Sequence, residues 1–298
     1  MTVKNYLQPE FCSTNYIDAN LNPTATIAVT SGTGLGSTTA LWDYATDAVY
    51  TSSGSADATA FEITIDLGSD QYADTIKLLG INFSSFTIKI KDAASSVYSD
   101  LCTESMFEEN GYHVNLGGSP QDTFLLSEEN AYLLSELGDI LIDEYLLIRY
   151  IKINCTHTQM TNAEKSIGEI YIGKRVFKPV KNSCQEFNES YPDDLRNIQI
   201  NSLGKAFLNR GPGCFLANLK FRGLSVTEFR ALRDIIKYGG NYTFFPTGGH
   251  YGSALSPAFD VKDIYLVTSI EDYNNNPWGS SNSTDTLSIS VRETVNVG

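Results

Sequence analysis

Residues 60–67 read Ala-Phe-Glu-Ile-Thr-Ile-Asp-Leu, with Phe61, Ile63, Ile65 and Leu67 alternating strictly with Ala60, Glu62, Thr64 and Asp66. Period two puts the two sets on opposite faces of a strand, whereas a helix would need apolar residues three and four apart. Gly68-Ser69 closes the segment with a turn signal. A more apolar strand follows over Thr75–Gly80, and Ser85–Lys91 alternates again, with Phe86, Ile88 and Ile90 opposite Thr87, Lys89 and Lys91. Leu146–Thr156 sets Leu147, Arg149, Ile151 and Ile153 against Ile148, Tyr150, Lys152 and Asn154, and Ile167–Gly173 reads as a further strand. The chain is therefore expected to be mainly β. Its wealth of Ser, Thr, Asn, Gly and Tyr suits strands joined by polar loops.

The chain has 298 residues, enough for two domains. Its formal net charge is -14, from 35 acidic and 21 basic residues. A nucleic-acid binder needs a basic face, and no cationic run exceeds Lys174-Arg175. The same field repels anionic membrane. The longest apolar stretch, Ile140–Ile153, is broken by Asp143, Glu144, Arg149 and Lys152, so it does not read as a membrane span. The first residues are too polar for a secretory signal, and Pro9 follows early, so synthesis in a cytosol is expected. The cysteines at 12, 102, 155, 184 and 214 are odd in number and widely spaced. They fit neither a disulfide framework nor a zinc site and are expected to be buried free thiols.

A polar arm and the first strands are expected over residues 1–38. Ser127-Glu-Glu-Asn130 opens a short helix, Ala131–Leu137, closed by Gly138. Residues 179–194 read as a linker, with Pro179, Asn188-Glu-Ser190 and Pro192-Asp-Asp194. It separates a domain over 1–178 from one over 195–298. In the second, Cys214–Arg222 alternates, and Ser225-Val-Thr-Glu228 is a capping box opening a helix over 225–238. Val226, Phe229, Leu232, Ile235 and Ile236 form its apolar stripe, and Gly239-Gly240 ends it. Tyr242–Phe245, Ile264–Asp272 and Asp285–Glu293 follow as strands, giving a small sandwich or split barrel with one packed helix.

Thr39-Ala-Leu-Trp-Asp43, Phe61–Ser69 and Asp74–Phe83, together with Arg149–Ile153 and Ile167–Gly173, resemble the discoidin-type (galactose-binding-like) jelly roll over roughly 39–175. That resemblance implies a β-sandwich that binds or docks. The capped helix, Gly239–Pro246, Ile264–Glu271 and Thr286–Glu293 resemble the tail-tube and distal-tail proteins of phages over roughly 195–295. Together they imply a non-enzymatic structural subunit near the tube end or baseplate, carried on the virion tail and assembled in host cytoplasm. The implied partners are other tail proteins and copies of itself in a sixfold or threefold ring. The alternative is a carbohydrate-binding module that adheres to a host-surface glycan.

Catalytic and cofactor motifs are not found. Gly32–Ser37 has neither the dinucleotide spacing nor a following Lys, and it reads as a loop. Asp18-Ala-Asn-Leu-Asn22 starts like a calcium loop, but Pro23 replaces its glycine and Val29 its closing acid. Discoidin-type domains sometimes hold a structural calcium; Asp43 and Asp47 lie near the matching loop, and no ligand set follows from that, so no metal is assigned. His113, His157 and His250 lie far apart in sequence, with no orienting acid or nucleophile in a recognisable pattern. Trp42 reads as core. Tyr44 and Tyr50 are candidate contact residues at a sugar-binding rim, and Trp278 is a candidate protein contact or a loop plug.

Overall fold

The computed structural model describes residues 9–29, 33–35, 37–44, 49–53, 59–105, 111–115, 146–158, 164–179, 184–190, 196–200, 206–210, 215–246, 264–270 and 286–294. Among these the strands are β1 (Glu10–Cys12), β2 (Thr26–Val29), β3 (Thr33–Leu35), β4 (Tyr50–Ser53), β5 (Phe61–Ala73), β6 (Thr75–Leu79), β7 (Phe83–Lys91), β8 (Ser99–Ser105), β9 (Gly111–Asn115) and β10 (Leu146–Thr158). They continue with β11 (Ser166–Ile167), β12 (Glu169–Gly173), β13 (Arg175–Phe177), β14 (Cys184–Ser190), β15 (Arg196–Ile200), β16 (Ala206–Arg210) and β17 (Leu216–Arg222). The helix α1 (Val226–Tyr238) follows, then β18 (Asn241–Phe245), β19 (Tyr265–Ser269) and β20 (Thr286–Glu293). The chain is mainly β, in antiparallel sheets.

Two compact units are present, one built on Thr14–Arg175 and one on Met1–Ser13, Val176–Gly248 and Ile264–Gly298. In the first, a five-stranded sheet runs β2-β5-β10-β7-β8, and smaller sheets run β12-β6-β9 and β11-β4-β3. The alternation read from the sequence decides which residues enter the core. Phe61, Ile63, Ile65 and Leu67 of β5, Phe86 and Ile88 of β7, and Ile151, Ile153 and Cys155 of β10 point inward. They join Ile76 and Leu78 of β6 and Ile170 and Ile172 of β12 in one apolar cluster. Each such side chain contributes about 1.5–3 kcal/mol when fully buried. Trp42 packs against this cluster, as its sequence context indicated.

The segment entering the sandwich is fixed by polar groups. The Asn15 side chain donates to the Ile170 carbonyl (2.7 Å) and accepts from the Ile172 amide (3.0 Å). Asn22 Nδ2 donates to the carbonyls of Tyr16 and Leu67, at 2.8 and 3.2 Å. Tyr44 has a φ of 59°, unusual for a residue with a Cβ. Its amide donates to Glu169 Oε2 (3.0 Å), and its hydroxyl accepts from the Asn15 amide (3.4 Å). Burial pushes the Asp18 carboxyl upward, against hydrogen bonds from the Asn20 amide and the Tyr44 hydroxyl.

In the second unit a seven-stranded sheet runs β13-β1-β18-β19-β20-β17-β14, and β15 and β16 form a separate hairpin. Its core is aromatic: Phe11 lies 4.8 Å from Phe244 and 6.2 Å from Phe177, and Phe215 stacks on Tyr265 at 3.9 Å. The capping box at the start of α1 is complete. Ser225 Oγ accepts from the Glu228 amide (3.2 Å), and Glu228 Oε2 accepts from the Ser225 amide (2.6 Å). Gly239, at φ 61°, ends the helix and donates to the Ile235 carbonyl.

Several expectations need correction. Glu10–Cys12 does not belong with the sandwich that follows it. It pairs with β18, with Glu10 opposite Phe245 and Cys12 opposite Thr243. Three residues are too few to show a period, and all three are buried, which hides any alternation. The expected linker at 179–194 contains β14, which pairs with β17 as an edge strand, so its polar composition did not preclude pairing. Val226 is 68% exposed rather than part of the helix stripe, since it sits in the first turn. Leu232 and Ile235 are the buried members. The strand expected over Ile264–Asp272 is β19, ending at Ser269. The helix expected over 131–137 lies outside the described residues, as does the Gly-rich loop's Gly32. Among the described residues no helix is long and apolar enough to cross a membrane.

Candidate binding face

The outer face of the five-stranded sheet carries the residues that alternate with its core. In β5 these are Glu62, Thr64 and Asp66; in β10, Tyr150, Lys152 and Asn154; in β7, Thr87, Lys89 and Lys91. Register aligns them in rows. Asp66 of β5 lies opposite Tyr150 of β10, which in turn lies opposite Lys91 of β7. In the next row Thr64, Lys152 and Lys89 align in the same way, followed by Asp100 of β8.

A β-bulge shapes one end of this face. The β5–β10 pairing steps from Ile148 opposite Gln71 to Tyr150 opposite Asp66. The expected simple alternation of β10 therefore breaks at this point. Ile148 is buried, while Arg149 and Tyr150 are both partly exposed. Bulges reaim side chains in this way. Arg149 reaches back across the bulge, its Nε 2.9 Å from Asp66 Oδ1 and its Cζ 4.8 Å from the Tyr150 ring centroid.

Asp66 is the hinge of the arrangement. Its Oδ1 also accepts from the Gly68 amide at 2.8 Å. Gly68 has a φ of 80°, and a Cβ there would lie 2.6 Å from Thr24 Cβ and 2.9 Å from the Thr24 carbonyl oxygen. Only glycine fits this approach. Burial alone would raise the Asp66 carboxyl, but the hydrogen bonds from Arg149 and Gly68 outweigh it and hold the group below its ordinary value. A second ion pair joins Lys152 to Glu62 at 3.2 Å, and a third joins Lys89 to Asp100 at 2.9 Å.

Lys91 lies between two rings. Its Nζ is 4.7 Å from the Tyr150 centroid and 5.0 Å from that of Tyr98, which stands just before β8. Lys152 Nζ lies 5.3 Å from the Tyr98 ring on the same face. Ammonium groups at these distances are drawn to the ring faces by the aromatic quadrupole. Burial pushes the Tyr98 phenol upward, against the nearby Lys152 charge and helped by Glu62, Tyr150 and Asp66, so it stays a neutral donor at physiological pH. The result is a partly exposed platform of two rings bordered by fixed donors and acceptors.

The sequence-based contact residues are elsewhere. Tyr44 is 5% exposed and its polar atoms serve the buried network around Asn15 and Glu169. Tyr50 is 3% exposed and stacks on Phe61 at 6.2 Å between centroids. Both are core residues rather than rim, because an aromatic beside polar neighbours reads the same in either place. Trp278, Asp47 and His250 lie outside the described residues. His113 lies in β9 and His157 in β10, in different sheets. Among the described residues no group of three His, Cys, Asp or Glu is placed to hold a metal, and the Glu169 carboxylate is engaged by the Tyr44 amide. Tyr98, Tyr150 and Lys91 were passed over in the sequence. The available signal was that Tyr150 and Lys91 fall on the polar side of their own alternations, where an aromatic ring needs a reason to be.

No family model and no curated protein matches this sequence. Among solved structures, the chain is similar to chitosan-binding module 1 of a chitosanase/glucanase from Paenibacillus sp. IK-5, at 14% identity, TM-score 0.37, over 54% of this chain and 98% of the module. It is similar to the family 32 carbohydrate-binding module of NanJ from C. perfringens, in complex with galactose, at 16% identity, TM-score 0.36, over 55% of this chain and 98% of that one. A GH29 fucosidase from Ruminococcus gnavus is matched at 15% identity, TM-score 0.38, over 54% of this chain and 27% of the enzyme. These are likenesses of strand arrangement over about half of the chain.

Proposed function

We propose that this chain is a non-enzymatic binding protein whose sandwich unit holds a saccharide on the face built from Lys91, Tyr98 and Tyr150. One observation carries the reading: two partly exposed tyrosine rings share a sheet face with three fixed ion pairs. Sugars offer an apolar C–H face that lies against a ring and hydroxyls that need donors and acceptors at set positions. The rings supply the first and the ion pairs the second. The test is a saccharide array probed with the full-length chain and with Tyr150→Ala. Saturable binding by the wild type that Tyr150→Ala removes is the expected result. Binding that survives both Tyr150→Ala and Tyr98→Ala would place the site elsewhere, and no binding at all would end the reading.

A second reading is favoured by the seven-stranded sheet. Among the described residues it is open, with β13 and β14 as its edges. Open edges invite pairing with another chain. In a phage-tail subunit, a head-to-tail ring of copies, sixfold or threefold, would cover them, with neighbouring tail proteins docked alongside. Cross-linking within intact particles tests this. Links between residues 184–190 of one copy and another copy or a tail protein support it; their absence in assembled particles counts against it.

A further inference from the structure

Each cation on the outer sheet face but one has a carboxylate of its own. Lys89 pairs with Asp100, Arg149 with Asp66 and Lys152 with Glu62. Lys91 is the exception. Among the described residues it meets only the rings of Tyr98 and Tyr150. Both rings are already shared, since Lys152 also faces Tyr98 and Arg149 also faces Tyr150. A ring quadrupole offsets only part of a full positive charge, and here each ring is divided between two cations. The Lys91 ammonium therefore keeps donor capacity that no carboxylate in contact with it matches.

This surplus stands out against a chain of formal net charge -14. An acidic protein repels anions at long range, so an anion is held only where local charge is arranged for it. Lys91 is the last residue of β7, opposite Tyr150 on one side and next to the turn that leads to Tyr98 on the other. The Tyr98 phenol, kept protonated, adds a neutral donor beside the ammonium. Two further carboxylates stand nearby, but Asp70 accepts from the Ala93 amide and Asp92 from the Ser95 amide, and neither forms an ion pair with Lys91, so its direct counter-charge is left for a ligand to bring.

Resting on the saccharide reading above, we propose that the ligand is an acidic sugar, a hexuronate or sialate residue. Its carboxylate pairs with the Lys91 ammonium while its C–H face lies against Tyr98 or Tyr150. A sugar of this class carries the anion and the apolar face in a single residue. A neutral sugar leaves Lys91 without its counter-charge.

The experiment uses the full-length chain and a panel of hexuronate and sialate oligosaccharides, each paired with its carboxyl-reduced counterpart, in calorimetric titrations at low and high salt. At least one acidic member is expected to bind about tenfold tighter than its reduced counterpart, the scale of one charge-assisted hydrogen bond. Added salt is expected to narrow that ratio. Lys91→Gln brings the ratio to about one, and Lys91→Arg keeps it, since the charge and ring contacts survive. Acidic and reduced forms that bind equally, or a preference that persists in Lys91→Gln, overturn the inference while leaving the saccharide reading in place. A wild-type chain that binds no member of either set also overturns the inference, while the saccharide reading is decided by the array.

Discussion

Replacing Gly68 by alanine probes the fold and the candidate face at once. The residue has a φ of 80°, and an added Cβ would meet Thr24 at Oγ1, at Cβ (2.6 Å) and at the carbonyl oxygen (2.9 Å). The left-handed conformation costs an L-residue about 1–2 kcal/mol. Forcing a methyl into occupied space adds about 1–3 kcal/mol. Stiffening of the unfolded chain offsets about 0.4–1 kcal/mol. The net loss centres near roughly 3 kcal/mol, large against a typical domain's stability of about 5–15 kcal/mol. Urea midpoints of wild type, Gly68→Ala, Thr24→Gly and the double variant measure it. The two sites should couple favourably by about 1–2 kcal/mol, because Thr24→Gly removes the side-chain part of the overlap and leaves the backbone strain. A Gly68→Ala loss under about 0.5 kcal/mol, the range of an ordinary surface change, refutes the reasoning. So does an additive double variant. Because the Gly68 amide also binds Asp66, the substitution should loosen Arg149 and weaken saccharide binding along with stability.

Ser225→Ala should cost about 1 kcal/mol by leaving the Glu228 amide without its acceptor, and Thr227→Ala much less; equal shifts in denaturant midpoint would count against the cap. Asp66 has a lower pKa folded than unfolded, so its pairing adds stability above the ordinary value of 3.8 and loses it as pH falls through the folded value. The stability gap between wild type and Asp66→Asn should therefore close on acidification, and a gap unchanged between about pH 2 and 6 contradicts that assignment. Residues 14–175 expressed alone should unfold in one cooperative step, whereas 179–298 alone lacks β1 and β13 and should be far less stable than the same region in the full chain. Two fragments of equal stability would reject this division.

Much of the sandwich was legible because one of its faces is wet and the other dry. Over Phe61–Leu67 of β5 and Phe86–Lys91 of β7 burial follows the residue alternation position by position, so the sequence identifies both core and outer face there. The helix was legible for another reason: both ends carry local chemistry, the Ser225–Glu228 box and Gly239. Other features depend on partners far away in sequence. Glu10-Phe11-Cys12 gives no hint that it pairs with residues 243–245. The bulge opposite Arg149 lies in β5, where four residues between Asp66 and Gln71 face one residue of β10, and the sequence of β10 does not announce it. The bulge decides where Arg149 reaches, whereas Tyr150 and Lys91 follow their own alternations, and Tyr98 joins them only through the fold. Tyr44 and Tyr50 were the right residue types for a sugar rim, but their burial was decided by tertiary contacts.

The pairing of β1 with β18 also sets a timetable for synthesis. Every described strand of the sandwich unit has been made by Gly173, yet the pairing of β1 stays incomplete until Asn241–Phe245 is made. At a translation speed of about 5–20 residues per second, the intervening roughly seventy residues take about 4–14 s. During that interval β13 is the one sheet neighbour of β1 already made, and the β18 side of Phe11 and Cys12 has no cover. Because β1 and β13 are neighbours in the finished sheet, the folded sandwich leaves and re-enters at adjoining strands. Once formed, it acts as a short tether in place of a loop of over 150 residues, which lowers the entropy cost of bringing the two strands together. The sandwich is thereby expected to aid formation of the sheet built from the chain segments before and after it, and slowing its folding should delay the second unit even where no residue of that unit has changed.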